Sequence, residues 1–153
     1  NQNINHPVYL SPILDLFSGE ILAYEINEHP TTKTVITSLK KAIKKIPSLE
    51  YRTTIHSDRG IQYQSLEWNV LLKENKFFKS MSRKGTCLDN ASMESFFHLM
   101  KAEMMFKKYQ SKEELISAMK EWIRYYNEDR IKTKLKGKSP IEYRKFALAK
   151  ILN

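Results

Sequence analysis

The chain has 153 residues, 41% of them hydrophobic, which is enough for one globular domain with a sizeable core and argues against disorder. The net charge of +9 favours an anionic partner, with nucleic acid the first candidate, although a solvated basic surface would give the same count. The single cysteine, Cys87, excludes an intrachain disulfide and suits a reducing cytoplasm, and there is neither a membrane-length apolar run nor a signal peptide.

The chain begins with a predicted β-hairpin. Val8 to Leu16 and Glu20 to Ile26 are mostly apolar, and Ser18-Gly19 between them favours a turn. Pro12 indicates an edge or a bulge in the first strand, because proline has no N–H for a ladder.

A helix, a strand and a second helix are predicted next. Thr31 or Thr32 can cap the first helix, which Pro47 ends. Tyr51 to His56 is a short predicted strand, and Gln64 to Asn75 is a predicted helix. Three apolar residues of that helix are expected to face inward: Leu66, Val70 and Leu71.

Phe77 to Ser82 is predicted as a further strand, followed by a basic, glycine-containing loop. The loop, from Arg83 to Leu88, is expected to be mobile without DNA. Asp89 or Asn90 can cap the next helix. An apolar stripe at helical spacing forms its predicted core face: Met93, Phe96, Phe97, Met100 and Met104.

Ser111 and Glu114 form a capping box for another helix, and Ser139 with Pro140 begins a last one. The predicted core face of the former is made of large apolar residues: Leu115, Met119, Trp122, Ile123 and Tyr126. The order strand–strand–helix–strand–helix–strand–helix predicts an α/β fold, with the C-terminal helices packed outside.

Two carboxylates on different elements stand out. Asp58 follows a predicted strand, Glu94 lies in a predicted helix, and 35 residues separate them. Converging acids can hold a divalent cation, and a metal pair can drive displacement at phosphorus. His98 and Lys101 share one helix face with Glu94. The alternative is a turn aspartate and a solvated glutamate, and on spacing alone that alternative is favoured.

The sequence resembles bacterial insertion-sequence transposases with a retroviral-integrase-like catalytic core. The matching pieces lie in order from about Val8 to Tyr143: YLSPILDLFSG from Tyr9, HSDRG from His56, SRKG from Ser82, DNA from Asp89, ESFF from Glu94, KAE from Lys101, YN from Tyr126 with Arg130, and SP from Ser139.

The resemblance implies a ribonuclease-H-like mixed sheet flanked by helices, in a single domain over residues 1–153 with extra C-terminal helices. It implies that Asp58 and Glu94 are catalytic ligands of two Mg²⁺ (or Mn²⁺) ions, which activate the attacking hydroxyl and stabilise the leaving 3′ oxygen. It also implies a bacterial, nucleoid-associated DNA transposase without a membrane partner. DNA phosphates are expected to contact Lys101, helped by Asn90, Arg83 and Lys84.

The sequence departs from the family at the first of three acids, which the family carries in an Asp-x-Thr strand. No acid precedes Tyr9, and Asp15 matches an aspartate before the hairpin turn that is not a ligand. We therefore expect a fragment that lacks the first strand, binds Mg²⁺ or Mn²⁺ weakly and is catalytically poor. The alternatives are a DNA-binding or assembly module without activity and a general nuclease of the same fold.

The absent strand would be central, so its two neighbours are expected to need other partners. Either the hairpin closes directly onto Tyr51 to His56, or a segment of another copy fills the gap, or the strand belongs to the molecule outside this sequence. We prefer the version in which the chain self-associates.

Overall fold

The structure is a computed structural model, and it describes residues 8–15, 18–29, 31–45, 54–57, 66–74, 78–79, 87–104, 107–131, 137–143 and 145–146. The elements are β1 (Tyr9–Asp15), β2 (Ile21–Asn27), α1 (Thr32–Lys45), β3 (Thr54–Ser57), α2 (Leu66–Glu74), β4 (Phe78–Lys79), α3 (Cys87–Met104) and α4 (Lys112–Glu128). The prediction of a mixed α/β fold is confirmed. None of the described helices is long and apolar enough to cross a bilayer.

β1 and β2 form the predicted hairpin, and short-range hydrogen bonds hold its turn. Gly19 has φ of 78°, which glycine adopts without steric cost. Its N–H donates to the Asp15 carbonyl at 2.8 Å, and the Asp15 N–H donates to the Glu20 carbonyl at 2.9 Å. The Ser18 hydroxyl donates to the Asp15 carboxylate at 2.9 Å. Asp15 is buried, and its carboxylate and backbone support the turn.

The four strands form one sheet in the order β2-β1-β3-β4. β1 is antiparallel to both β2 and β3, and β3 is parallel to β4. β1 meets β3 at residues 13–15, opposite residues 57–55. Of the three outcomes considered for the gap, the structure shows the first, direct closure of the hairpin. The preferred filling by another copy is wrong at these positions, because an intrachain strand already pairs with the backbone there.

Both faces of the sheet are buried, and the β1–β2 hairpin contains a β-bulge. Ile13 lies in the core beneath α1 and α2, whereas Leu14 lies in the core beneath α3 and α4, as strand alternation requires. The register shifts so that Ile13 pairs with Ala23 and Leu14 with Ile21. Leu22 is the extra residue of the bulge, which explains why Leu22 and Ala23 lie in the same core. The irregularity is adjacent to Pro12, where the sequence predicted an edge or bulge.

The first two helices confirm two sequence predictions and correct a third. Thr31 caps α1, since its hydroxyl accepts from the Thr34 N–H at 3.3 Å. In α2, the prediction that Val70 faces inward is wrong, because Val70 is 43% exposed while Trp68 is 1% exposed. Two residues correspond to about 200° of helix rotation, so burial of Trp68 directs Val70 outward. Leu71, as predicted, packs against the core.

α4 begins and packs as its sequence predicts. The Glu114 N–H donates to the Ser111 hydroxyl at 3.1 Å, and the Glu114 carboxylate accepts from the Gln110 N–H at 2.7 Å. The predicted core face is confirmed, with four residues buried and one partly buried: Met119, Trp122, Ile123 and Tyr126, with Leu115. Ser139 caps the helical turn that starts at Pro140, since its hydroxyl accepts from the Glu142 N–H at 3.4 Å.

Candidate active site

α3 has a buried face and an exposed face that carries charge. The predicted stripe is confirmed: Met93, Phe96 and Met100 are buried, and Phe97 and Met104 pack against them. Glu94, His98 and Lys101 are exposed. At about 100° per residue these three fall within about 60° of helix circumference, so a carboxylate and an ammonium share one accessible face. Such a face can bind a cation and a phosphate side by side.

α3 also contacts β3, the strand that leads to Asp58. β3 ends at Ser57, and its His56 pairs with Leu14 of β1. Leu14 belongs to the same buried cluster as Met93, the residue before Glu94. α3, through Met93, and β1, the strand that pairs with β3, therefore contribute to one buried cluster. Asp58 itself lies outside the described residues.

The predicted DNA contacts are described only in part. Lys101 is exposed on α3, whereas Arg83, Lys84 and most of the loop expected to be mobile lie outside the described residues. Asn90 belongs to α3, but its side chain is not described. The prediction that Asp89 or Asn90 caps this helix is wrong, because α3 already begins at Cys87. Both residues instead occupy its first turn, where the helix dipole favours negative charge.

The oxygen donors of the candidate site are chemically suited to Mg²⁺ or Mn²⁺, which prefer carboxylates. Glu94 is exposed and can be reached from solvent. In the part of the chain that the structure describes, no group of three or more His, Cys, Asp or Glu side chains could hold a metal. Of the predicted pair of ligands, Glu94 is described and Asp58 lies outside the described residues.

Glu103, at the end of α3, joins that helix to α4. Its carboxylate accepts from the Trp122 indole N–H at 2.7 Å and from Arg130 Nε at 2.9 Å. The side chains of Arg130 and Glu103 are 21% and 33% exposed, so water screens this ion pair only partly. Glu103 and Arg130 are part of the resemblance, and the structure gives them a role in holding α3 in place.

The C-terminal half of α4 holds the hairpin. The Asn127 side chain accepts from the Ile21 N–H at 2.9 Å and donates to the Ile21 carbonyl at 2.9 Å. The Tyr126 hydroxyl donates to the Gly19 carbonyl at 2.7 Å. Burial raises the pKa of Tyr126, while the positive charge of Arg130 acts in the opposite direction.

Sequence reasoning missed the structural role of Asn127. It is 5% exposed and lies four residues after the buried Ile123, so periodicity places it on the buried face, but its partner Ile21 is 106 residues away and no local pattern indicates that contact. The Tyr126-Asn127 pair could have indicated this role. It is one of the motifs shared with the family, and it lies on a helix that carries no candidate ligand, so a structural role was the remaining explanation.

Comparison with known proteins identifies the family of this chain. Two family models, each described as "Integrase core domain", match residues 2–87 and residues 94–148. The chain is 43% identical over 138 residues to an "uncharacterized transposase-like protein" of Haemophilus influenzae, covering 90% of this chain and 63% of that protein. It is 44% identical over 138 residues to the "putative transposase InsK for insertion sequence element IS150" of Escherichia coli, covering 90% of this chain and 48% of the relative.

A probable transposase for insertion sequence element IS1353 of Shigella flexneri is 38% identical over 140 residues, covering 90% of this chain and 27% of its own length. The chain therefore spans between about a quarter and two thirds of these relatives. No solved structure gave a significant match. With one integrase-core model matching more than half of its residues, the chain belongs to the integrase core family of insertion-sequence transposases.

Proposed function

We propose that this chain is the catalytic core of a DNA transposase, which cleaves the phosphodiesters at transposon ends and joins the freed 3′-hydroxyl to target DNA. The observation that carries the proposal is the contact between β3, which ends one residue before Asp58, and α3, whose exposed face carries Glu94. We infer that Asp58, the residue after β3 in the sequence, and Glu94 supply carboxylate oxygens to one site.

Asp58 and Glu94 would hold Mg²⁺ or Mn²⁺, two ions in a complete site, and the bound metal would polarise the phosphodiester and activate the attacking hydroxyl. The chain's own residues bind and orient the substrate around it. Lys101, about two helical turns from Glu94 on the same face, would bind the adjacent DNA phosphate. Asn90, Arg83 and Lys84 would extend this contact, and the net charge of +9 would attract DNA without regard to sequence.

We further propose a ribonuclease-H-like sheet in a single domain. In that fold the strand carrying the first acid lies between the hairpin and the strand that corresponds to β3. The antiparallel β1–β3 pairing and parallel β3–β4 pairing support this, because they are the directions left when that strand is taken out. We also propose that the protein acts on DNA as a homo-oligomer, as transposition joins two ends.

The alternative is a DNA-binding or assembly module with no activity. The net charge of +9 supports it as well, because that charge attracts DNA whether or not the chain is an enzyme. Mn²⁺ binding separates the two ideas without relying on turnover. If Asp58 and Glu94 share a site, Asp58→Asn and Glu94→Gln should each weaken Mn²⁺ binding to this chain, as measured by water-proton relaxation. Glu113→Gln, at an exposed glutamate of α4, is the matched control and should have no effect.

Activity is the second test. The segment preceding the matched region of the E. coli relative would be joined to Asn1, and strand transfer would be measured with Mg²⁺. We expect joining with the added segment, none with Glu94→Gln in the same protein, and little without the segment. If the joined protein binds DNA but never cleaves it, while Mn²⁺ binding is insensitive to both acid substitutions, the enzyme proposal is refuted.

A further inference from the structure

The outer edge of β2 borders a cleft of about 420 Å³, and Glu94 is not among the residues that line it. The cleft is lined by residues 22–26 of β2, by Lys41 of α1, and by Ile116 and Lys120 of α4. A cleft over one face of a strand would be lined by alternate residues, whereas this one is lined by five in succession. The cleft therefore follows the backbone edge of β2, between the two helical layers. Its volume is in the ~300–1,000 Å³ range of ligand sites.

The hydrogen bonds of Asn127 identify which backbone groups of β2 point into the cleft. Both the N–H and the carbonyl of Ile21 bind the Asn127 side chain, so Ile21 directs its backbone groups away from β1. Alternation along an antiparallel strand, counted past the bulge at residues 22–23, gives the same outward direction to Tyr24 and Ile26. Pro12 opposite Tyr24 fits this assignment, because a pair that exchanges no hydrogen bonds does not need the missing N–H.

These outward groups are available for pairing. Across the described ranges, no other backbone or side-chain group bonds to the outward N–H or carbonyl of Tyr24 or Ile26. The cleft beside them is open space, so none of the described residues covers this stretch of the edge. Asn127 already completes the edge at Ile21, and an added strand would continue it over the remaining residues.

The charges at the cleft indicate what kind of strand it suits. Lys41 forms an ion pair with Glu25, so these two charges offset each other. Lys120 is exposed and has no ion pair with any residue that the structure describes. Counting the described residues alone, the cleft is left with one uncompensated positive charge on the α4 side, beside the apolar Ile116. A second copy of this chain, which carries +9, is a poor electrostatic match.

We propose that this cleft binds a short, extended, acidic peptide segment of a partner protein, which adds to β2 as a further strand. The backbone of the segment pairs with Tyr24 and Ile26, and an acidic side chain on the α4 side pairs with Lys120. Since Asn127 occupies the edge at Ile21, the segment engages only the C-terminal half of β2. Main-chain pairing supplies the affinity, and Lys120 with Ile116 supplies the selectivity.

The test uses capped hexapeptides that alternate glutamate with valine, titrated into this 153-residue chain and followed by NMR. We expect the Tyr24 and Ile26 amides to shift and to gain protection from hydrogen exchange. The lysine–valine counterpart should bind more weakly. N-methylation of the peptide on the edge facing β2 should weaken binding by at least about tenfold, since it removes main-chain hydrogen bonds. N-methylation of the opposite edge should leave binding unchanged.

Protein variants provide the second arm. Lys120→Ala should weaken binding of the acidic peptide by about twofold to fivefold, as for an exposed ion pair. Lys108→Ala, at an exposed lysine not lining the cleft, is the control. Equal loss from N-methylation of either edge, absence of protection at Tyr24 and Ile26, or occupation of the edge by a second copy in light scattering would each overturn the proposal.

Discussion

The contact between Asn127 and the hairpin offers a sharp test of how this fold is held together. In Asn127→Ala, the N–H and the carbonyl of Ile21 both lose their partner. Ile21 is 1% exposed, so water reaches these groups poorly. Two buried hydrogen bonds contribute about 1 kcal/mol each, and leaving the groups unsatisfied adds a desolvation penalty. We expect the free energy of unfolding to fall by about 2–4 kcal/mol, a large part of the ~5–15 kcal/mol typical of a domain.

The measurement is urea denaturation followed by circular dichroism at neutral pH. Glu128→Ala is the matched control, because Glu128 is the next residue of α4, is exposed, and pairs only with Arg124 among the described contacts. Its cost should be within about 0.5 kcal/mol. Asn127→Asp should also destabilise, because it keeps the acceptor for the Ile21 N–H but turns an oxygen toward the Ile21 carbonyl. If Asn127→Ala lowers the free energy of unfolding by no more than the control does, the reasoning is refuted. That result would indicate that water replaces the Asn127 side-chain amide as the partner of Ile21.

Three further predictions concern the same helix pair and its exposed face. Glu103→Gln should lower the free energy of unfolding by about 1 kcal/mol, because it removes the half-buried charge that pairs with Arg130. The variant keeps an acceptor for the Trp122 indole N–H. Equal unfolding curves for the variant and the native chain would contradict this prediction. Burial raises the pKa of Tyr126, so the hydroxyl loses its proton in the unfolded chain before it does in the folded one. The difference in the free energy of unfolding between the native chain and Tyr126→Phe should therefore be constant below about pH 10 and shrink by up to about 1.4 kcal/mol per pH unit above it. A difference that grows with pH would have the wrong sign. Lys101→Ala should reduce the salt dependence of DNA binding by roughly one counterion, whereas Lys108→Ala should not, and an unchanged slope would remove Lys101 from the DNA contacts.

Features with a local signal could be predicted from the sequence. The hairpin follows from two apolar runs around Ser18-Gly19, and the start of α4 follows from the Ser111 and Glu114 pair, whose hydrogen bonds are present. The apolar stripe of α3 fixed the buried face of that helix, and therefore the exposure of Glu94.

Features that depend on tertiary packing could not. In α2, a nine-residue helix, the apolar residues are compatible with more than one rotation, and only packing against the core selects Trp68 over Val70. The start of α3 was placed too late because the capping types at Asp89 and Asn90 also occur within a first turn. The direct pairing of β1 with β3 depends on which strand is available as a neighbour, a question that no short stretch of sequence answers.

The residues that carry the family resemblance divide into candidate site residues and residues that hold the fold together. α4 carries residues of the second group, which explains why it resembles the family although it carries no candidate ligand. Asn127 and Tyr126 fix the hairpin that gives β1 its place in the sheet, and β1 in turn positions β3. Glu103 fixes α3 to α4 through Trp122 and Arg130. The positions of β3, the strand before Asp58 in the sequence, and of α3, which carries Glu94, therefore both depend on contacts that pass through α4. We therefore expect a substitution in α4 to weaken Mn²⁺ binding at the proposed site to the extent that it loosens the packing of α3 against β3.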